Sequence, residues 1–186
     1  MRGEPVPDFS EQLMSGERVI WAGIPEQGVR LDANDALMIP FSLMWCGFAI
    51  FWETMALTMH TPWFFRLWGV PFVLVGFFMA FGRFFADAWL RRRTCYAVTN
   101  ERVLITRSGP FASFIAIRRD QLPEMQLSNI AKGRGTIRFG RQFSVFARGR
   151  GGFGGWVPSL DPTPQFVGIE QAQEVFNIVQ RREARL

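Results

Sequence analysis

The sequence has few of the residues on which most enzyme active sites depend. It contains one histidine (His60), one lysine (Lys132) and two cysteines, Cys46 and Cys95, that lie far apart. This supply does not indicate a Ser–His–Asp or Cys–His arrangement, a metal-ligand cluster or a disulfide framework. The chain also has no GxxxxGK[ST] phosphate loop. We predict a protein that is not an enzyme and that binds no cofactor and no metal.

Charge is scarce in one part of the chain. Between Ala36 and Gly82 only Glu53 and Arg66 are charged, whereas the rest of the sequence has the charge density of a soluble protein. Residues 1–35 contain acidic and basic side chains and no apolar core, so we expect no signal peptide. This distribution excludes a plain soluble globule, a disordered tail and a secreted protein. It predicts an intracellular polar protein that contains an apolar block.

Two long apolar runs form this block, over residues 36–57 and 63–86. Each exceeds the roughly 20 residues that an α-helix needs to cross about 30 Å of hydrocarbon. Because the link between them is very short, both ends of the hairpin should emerge on the same side of the membrane. Arg91, Arg92 and Arg93 directly follow the second run, and the link has no lysine or arginine. The positive-inside rule therefore predicts a two-pass protein with both termini in the cytoplasm.

Glu53 is the acidic residue of the first apolar run. A carboxylate inside a span is costly and marks a proton path or a buried ion pair. Glu53 lies about one turn from the outer end of its helix, within reach of Arg66 in the second run. We favour an intramembrane ion pair between the two, or an interfacial carboxylate, over a role in transport.

The pattern changes after the three arginines. Runs of β-prone residues separated by turns predict strands at 94–98, 102–107, 114–117, 125–130 and 136–139, which is typical of a small sandwich or barrel. From residue 170 to 185, apolar side chains recur on one stripe of a helix. We predict a helix that closes the barrel; a helix lying on the membrane is the less favoured alternative.

A glycine-rich stretch, residues 148–156, contains Phe153 and Trp156. Arg/Gly-rich RNA-binding tracts act through many copies, and this chain has one short copy, so we predict a hairpin loop and no nucleic-acid partner. Such a loop cannot bury its own aromatic rings. Phe153 and Trp156, together with the three arginines after the second apolar run, are therefore the candidate contacts with a membrane or a partner.

Four segments of the chain together resemble one family. The sequence YAVTNERVLI at 96–105 is similar to a YxVTxxRvl strand pair, and GRGTI at 133–137 to a G-x-G-T-[IV] turn. GERVIWAGIP at 16–25 is similar to a GE-x-v-x-W-x-G-x-P segment that precedes paired spans. FVGI at 166–169, followed by a helix, is similar to the end of the same family's sequences, so the four segments occur in the family's order. These motifs resemble those of bacterial PH-domain membrane proteins over nearly the whole chain.

The resemblance implies an N-terminal cytoplasmic segment (1–35) that packs on the C-terminal domain, a transmembrane hairpin (36–90) and a cytoplasmic PH-like domain (91–186). The expected fold class is a membrane-anchored α+β protein whose PH-like β-barrel or sandwich is closed by a C-terminal helix. The expected location is the bacterial inner membrane. The expected function is a binding module for protein recruitment or anionic-lipid contact, because this fold carries many binding functions.

Other readings of the resemblance stay open. The alternative function is an accessory structural subunit of a larger inner-membrane complex. The partners would be the lipid bilayer and proteins in the membrane or at its cytoplasmic face. Four arginines in the β-prone part form either a basic face for anionic headgroups or a solvated surface: Arg102, Arg107, Arg118 and Arg119.

Overall fold

The computed structural model describes residues 9–31, 35–59, 61–131, 133–140, 157–161 and 163–181. Phe153 and Trp156, predicted as contacts, lie outside these described residues. The chain divides into two compact units. One, the hairpin unit, is formed by residues 29–88, and the other, the sheet unit, by residues 1–28 together with 89–186.

The hairpin unit consists of two long helical stretches. The first is α1 (Asp35–Thr58). The second continues without a break through α2 (Trp63–Phe77), one π-helical turn (Phe78–Gly82) and α3 (Arg83–Arg91), whose last residues belong to the sheet unit. Both stretches are long and apolar enough to cross a membrane. The two predicted helical runs are thus confirmed, and the second helix extends to Arg91.

Small residues line the contact between the helices of the hairpin. Cys46, Ala49 and Gly76 are buried, and a Cβ atom built on Gly76 would lie 2.9 Å from the Cα atom of Cys46. The absence of a side chain at Gly76 therefore allows the two backbones to approach closely. The large apolar side chains point outward instead, as Phe48 and Phe81 do.

Among its described residues, the sheet unit contains seven strands in two antiparallel sheets. The first sheet has the order β1-β2-β3-β4 and the second the order β5-β6-β7. The strand bounds are β1 (Val19–Gly23), β2 (Thr94–Thr99), β3 (Arg102–Arg107), β4 (Ser113–Arg118), β5 (Met125–Ala131), β6 (Arg134–Phe139) and β7 (Gln165–Glu170). Because β1 precedes the hairpin and pairs with β2, which follows it, the hairpin is inserted between two neighbouring strands of one sheet.

One hydrophobic core joins the two sheets. Its buried members come from β2, β3, β6, β7 and α4 (Ala172–Gln180). In α4, Ala172, Val175 and Val179 are buried, and Phe176 packs against the same core. The predicted C-terminal helix and its apolar stripe are confirmed over Ala172–Gln180, whereas the rest of the predicted range contains residues outside those described.

Of the predicted barrel or sandwich, the described residues do not form the closed barrel, because no ladder joins β4 to β5 and the strands form two separate sheets. The chain leaves the first sheet at Arg119. The backbone N–H of this residue donates to the carbonyl oxygen of Glu101 at 2.8 Å. Its guanidinium donates to the carbonyl oxygens of Thr99 and of Ile178 and Val179 near the end of α4. The side chain thereby fixes a turn between the sheets where a barrel would need a continuous strand.

Candidate functional site

The two sequence motifs with the strongest resemblance meet at a buried ion pair. Glu17 precedes β1, and Arg102 begins β3. Arg102 Nη2 lies 2.5 Å from Glu17 Oε2, and Arg102 Nε donates to Glu17 Oε1 at 3.1 Å. The Thr99 hydroxyl donates to Glu17 Oε1 at 2.6 Å, and the Met14 backbone N–H donates to Oε2 at 2.9 Å. Every one of these donors favours the ionised carboxylate.

This hydrogen bonding changes the acidity of Glu17. The Arg102 guanidinium is the largest cause that lowers the pKa of Glu17, from 4.5 to about 2, although burial acts in the opposite direction. The same bond raises the pKa of Arg102. Since the pair joins the segment before β1 to the β2–β3 turn, its role is to hold the N-terminal segment on the sheet. These motif residues therefore maintain the fold.

The four arginines of the β-prone part occupy different environments. Arg102 and Arg119 are buried and bonded within the fold. Arg118 is exposed and forms an ion pair with Asp120, 2.6 Å from Arg118 Nη2 to Asp120 Oδ2. Only Arg107 lines a cleft. The four side chains thus do not form one basic face, because two of them neutralise or cap groups inside the domain.

An open cleft lies in the sheet unit, between the first sheet and the segment that leads into β7. The ends of three strands meet there, because Thr94 pairs with Arg107 and Arg107 pairs with Ser113. The lining residues are Arg91, Thr94, Tyr96, Ile105, Arg107, Ser113, Ile115, Ser159, Asp161, Thr163, Pro164, Gln165 and Val167. The lining is therefore rich in hydroxyl groups and contains two arginines and one carboxylate.

Both arginines of the cleft donate hydrogen bonds to carbonyl or hydroxyl oxygens. Arg91 is only 2% exposed; its Nη2 donates to the carbonyl oxygen of Gly28 at 2.7 Å and its Nη1 to that of Glu26. Arg107 donates through Nη2 to the carbonyl oxygen of Ser159 and through Nε to the Thr94 hydroxyl at 3.3 Å. Carbonyl and hydroxyl partners orient a guanidinium without cancelling its charge. The cleft therefore contains two oriented guanidinium groups.

The three arginines after the second apolar run, predicted as one contact site, separate in the structure. Arg91 is buried in the cleft, and Arg92 is exposed. The Arg93 guanidinium carbon lies 4.1 Å from the centroid of the Trp89 ring, a cation–π contact. Only Arg92 is thus a freely exposed side chain of this group.

Each of the two charged residues predicted to pair within the hairpin has one buried polar atom without a hydrogen-bond partner among the described residues. Glu53 Oε2 and Arg66 Nε are buried and have no hydrogen-bond partner among the described residues. The Glu53 carboxylate occupies the space beside Gly69, where an added Cβ would overlap it. An ion pair of the hairpin unit joins Arg83 Nη1 to Asp35 Oδ1 at 2.8 Å, at the other end of the hairpin. The pairing of Glu53 with Arg66 stays a prediction.

Sequence reasoning did not find the cleft. Its residues come from the end of α3, from four strands and from the loop before β7, and no periodic pattern links them. The available signal was weak: basic residues stand at the end of α3 and at the end of β3, and a Ser-x-Asp-x-Thr run precedes β7. Comparisons of the chain with protein-family models, with curated proteins and with solved structures find no match.

Proposed function

We propose that this protein is a membrane-anchored, PH-like binding module whose cleft binds the phosphate-bearing headgroup of an anionic lipid at the cytoplasmic face. The observation that supports it is the cleft that contains Arg91 and Arg107, because Arg91 is also the residue with which the second apolar helix ends. The hairpin would anchor the chain as a two-pass protein of a bacterial inner membrane. The arginines after it favour the cytoplasmic side for both termini.

The chemistry of the cleft fits a phosphate group linked to a polyol. Two guanidinium groups face one carboxylate, Asp161, whose Oδ1 accepts from the Thr163 backbone N–H at 2.9 Å. A phosphodiester in the cleft would accept charge-assisted hydrogen bonds from a guanidinium group. The hydroxyls of Ser113 and Thr163, which line the same cleft, would bind the hydroxyls of a headgroup such as that of phosphatidylglycerol, whereas the Thr94 hydroxyl already donates to the Leu90 carbonyl oxygen at 2.9 Å.

The test uses the full chain in nanodiscs of phosphatidylcholine that contain a minor fraction of phosphatidylglycerol, with the retained lipid counted by native mass spectrometry. We expect the wild-type chain to retain phosphatidylglycerol. Arg107→Gln should weaken retention about fivefold, because one well-placed charge contributes about 1 kcal/mol. Ser113→Trp should abolish retention of phosphatidylglycerol, because the larger side chain fills the cleft and leaves its charge unchanged.

Arg118→Gln is the matched control, since it removes the same charge from an exposed position. Arg118 pairs in register with Arg102, at the end of β4 opposite Ser113. The Arg118→Gln variant should retain phosphatidylglycerol as the wild-type chain does. Equal retention by the wild type, Arg107→Gln and Ser113→Trp would overturn the proposed headgroup site. Thermal unfolding of each variant separates loss of the site from loss of the fold.

One observation favours the second candidate function, an accessory subunit of a larger membrane complex. A continuous series of aromatic contacts lies on the exposed outer half of α2, formed by Trp63, Phe64, Phe65, Trp68 and Phe72. Exposed aromatic rings in series fit a protein partner within the membrane. Purification from native membranes in mild detergent tests it: stoichiometric membrane partners would favour the subunit, and recovery of the chain alone would favour the module.

A further inference from the structure

Exposed aromatic side chains gather at one end of the sheet unit. The β3–β4 turn closes through a hydrogen bond from the Ala112 N–H to the Gly109 carbonyl oxygen at 2.9 Å, which leaves Pro110 and Phe111 at its tip. The side chain of Phe111 is 56% exposed, that of Phe114 50% and that of Trp89 38%. We call Trp89, Phe111 and Phe114 the aromatic end.

The direction of Phe114 follows from the strand register. Its neighbour Ile115 packs against the common core, and Ile115 pairs with the buried Ile105. Since side chains alternate along a strand, Phe114 points to the opposite face of the sheet, away from that core. Phe114 and Phe111, at the tip of the turn, are therefore large apolar residues that the described sheet unit does not bury.

The turn is fastened to the segment that leaves the second apolar helix. The Ser108 N–H donates to the Arg93 carbonyl oxygen at 2.9 Å. Gly109 has a φ of +95°, and a Cβ atom built there would lie 2.5 Å from Arg93 Nη1. Arg93 in turn stacks on Trp89. Trp89, Arg93 and the turn thus form one connected structure, which begins within the helix and reaches β3.

We propose that the aromatic end lies in the headgroup layer of the bilayer and docks the sheet unit on the membrane. Three features support the bilayer as the occupant: the connection to the end of the apolar helix, the exposed aromatic rings, and the adjacent positive charge of Arg92 and Arg93. Aromatic rings with basic neighbours are the composition that favours the membrane interface. This inference rests on the proposed function, because it requires the hairpin to span a membrane.

The opposite end of the sheet unit offers a matched control. Ile130 is 62% exposed, and it precedes the β5–β6 turn. The register places that turn near the end of β7, because Ala131 pairs with Arg134 and Arg134 pairs with Glu170. The cleft, in contrast, contains the start of β7 at Gln165. Ile130 is therefore an equally exposed apolar residue far from the aromatic end.

The experiment attaches a nitroxide spin label at single cysteines in the full chain, with Cys46 and Cys95 replaced by alanine, in nanodiscs that contain phosphatidylglycerol. Phe111→Cys and Phe114→Cys are compared with Ile130→Cys and with Phe48→Cys in α1. Collisions with oxygen report lipid, and collisions with a water-soluble nickel chelate report solvent. We expect labels at 111 and 114 to lose collisions with nickel and keep those with oxygen, and the label at 130 to show the reverse.

The label at Phe48 separates the two possible failures. Lipid exposure at 48 together with nickel exposure at 111 and 114 would overturn the docking surface and leave the membrane anchor intact. Nickel exposure at 48 would overturn the anchor and the docking surface with it. Protection of 111 and 114 from both reagents would also overturn the docking surface, since it would indicate burial against protein.

Discussion

The hairpin unit and the sheet unit contain the same kinds of large apolar side chains and place them in opposite environments. Phe48, Phe81 and Leu74 of the hairpin are exposed, whereas Phe139 and Phe166 of the sheet unit are buried. The hairpin contact uses small residues, and the sheet unit has a core of large ones. The sheet unit thus gains stability by excluding water, while the hairpin requires apolar surroundings for its outer surface.

The largest expected effect is at the centre of the sheet-unit core. Phe166 stacks on Tyr96 with 4.6 Å between ring centroids and meets Phe139 edge-on at 5.1 Å. Phe166→Ala should lower the free energy of unfolding by about 3–5 kcal/mol, because it leaves a cavity among rings that cannot collapse. Denaturant unfolding of the full chain in nanodiscs measures this loss. Phe48→Ala is the control, and an equal loss there would contradict the difference between the units.

The next effect concerns the buried carboxylate that joins the N-terminal segment to the sheet. Glu17→Gln should cost about 3–5 kcal/mol, because it leaves the buried Arg102 without its counter-charge. Hydrogen exchange of β1 should accelerate more than that of β6, since the pair anchors the segment before β1. Uniform acceleration across both sheets, or none, would contradict an anchoring role for Glu17.

The pH dependence of stability has a definite sign. The folded pKa of Glu17, about 2, lies below its ordinary value of 4.5, so the unfolded chain binds this proton more readily. The contribution of Glu17 is therefore complete above about pH 4.5 and is lost as the pH falls towards 2. Its size is about 3 kcal/mol by linkage. Unfolding curves of the wild type between pH 5 and 2 should show this loss, and Glu17→Gln should lack it.

The smallest effect is expected in the hairpin. Gly76→Val should cost about 1–3 kcal/mol, because the new side chain would meet the α1 backbone at Cys46 and force the helices apart. A cross-linking pair introduced on the two helices would report the separation as a reduced yield. Gly47→Val is the matched control, since a Cβ there meets nothing within 4 Å. Equal yields for the two variants would contradict close packing at Gly76.

Local pattern was sufficient for some of the structure and insufficient for the rest. The charge-poor runs predict α1 and the second helical stretch, and the alternation around Tyr96 and Val103 predicts β2 and β3, because each signal lies within one element. The choice between barrel and sandwich stayed open, because the carbonyl partners of Arg119 at the turn between the sheets are distant in sequence. The sequence alone predicts Arg102 and Arg91 as surface charges, because the groups that surround them in the fold come from other parts of the chain.

The insertion of the hairpin between β1 and β2 has a consequence for synthesis of the chain. β1 leaves the ribosome before either apolar helix, and its partner strand leaves after both. In a bilayer, β1 can complete the first sheet only if both helices have crossed and returned the chain to the starting side. In a chain with a single crossing, β1 and β2 would lie on opposite sides of the membrane, and Arg102 could not pair with Glu17. In a bilayer, the first sheet would thus be completed only in chains whose two helices have both inserted correctly.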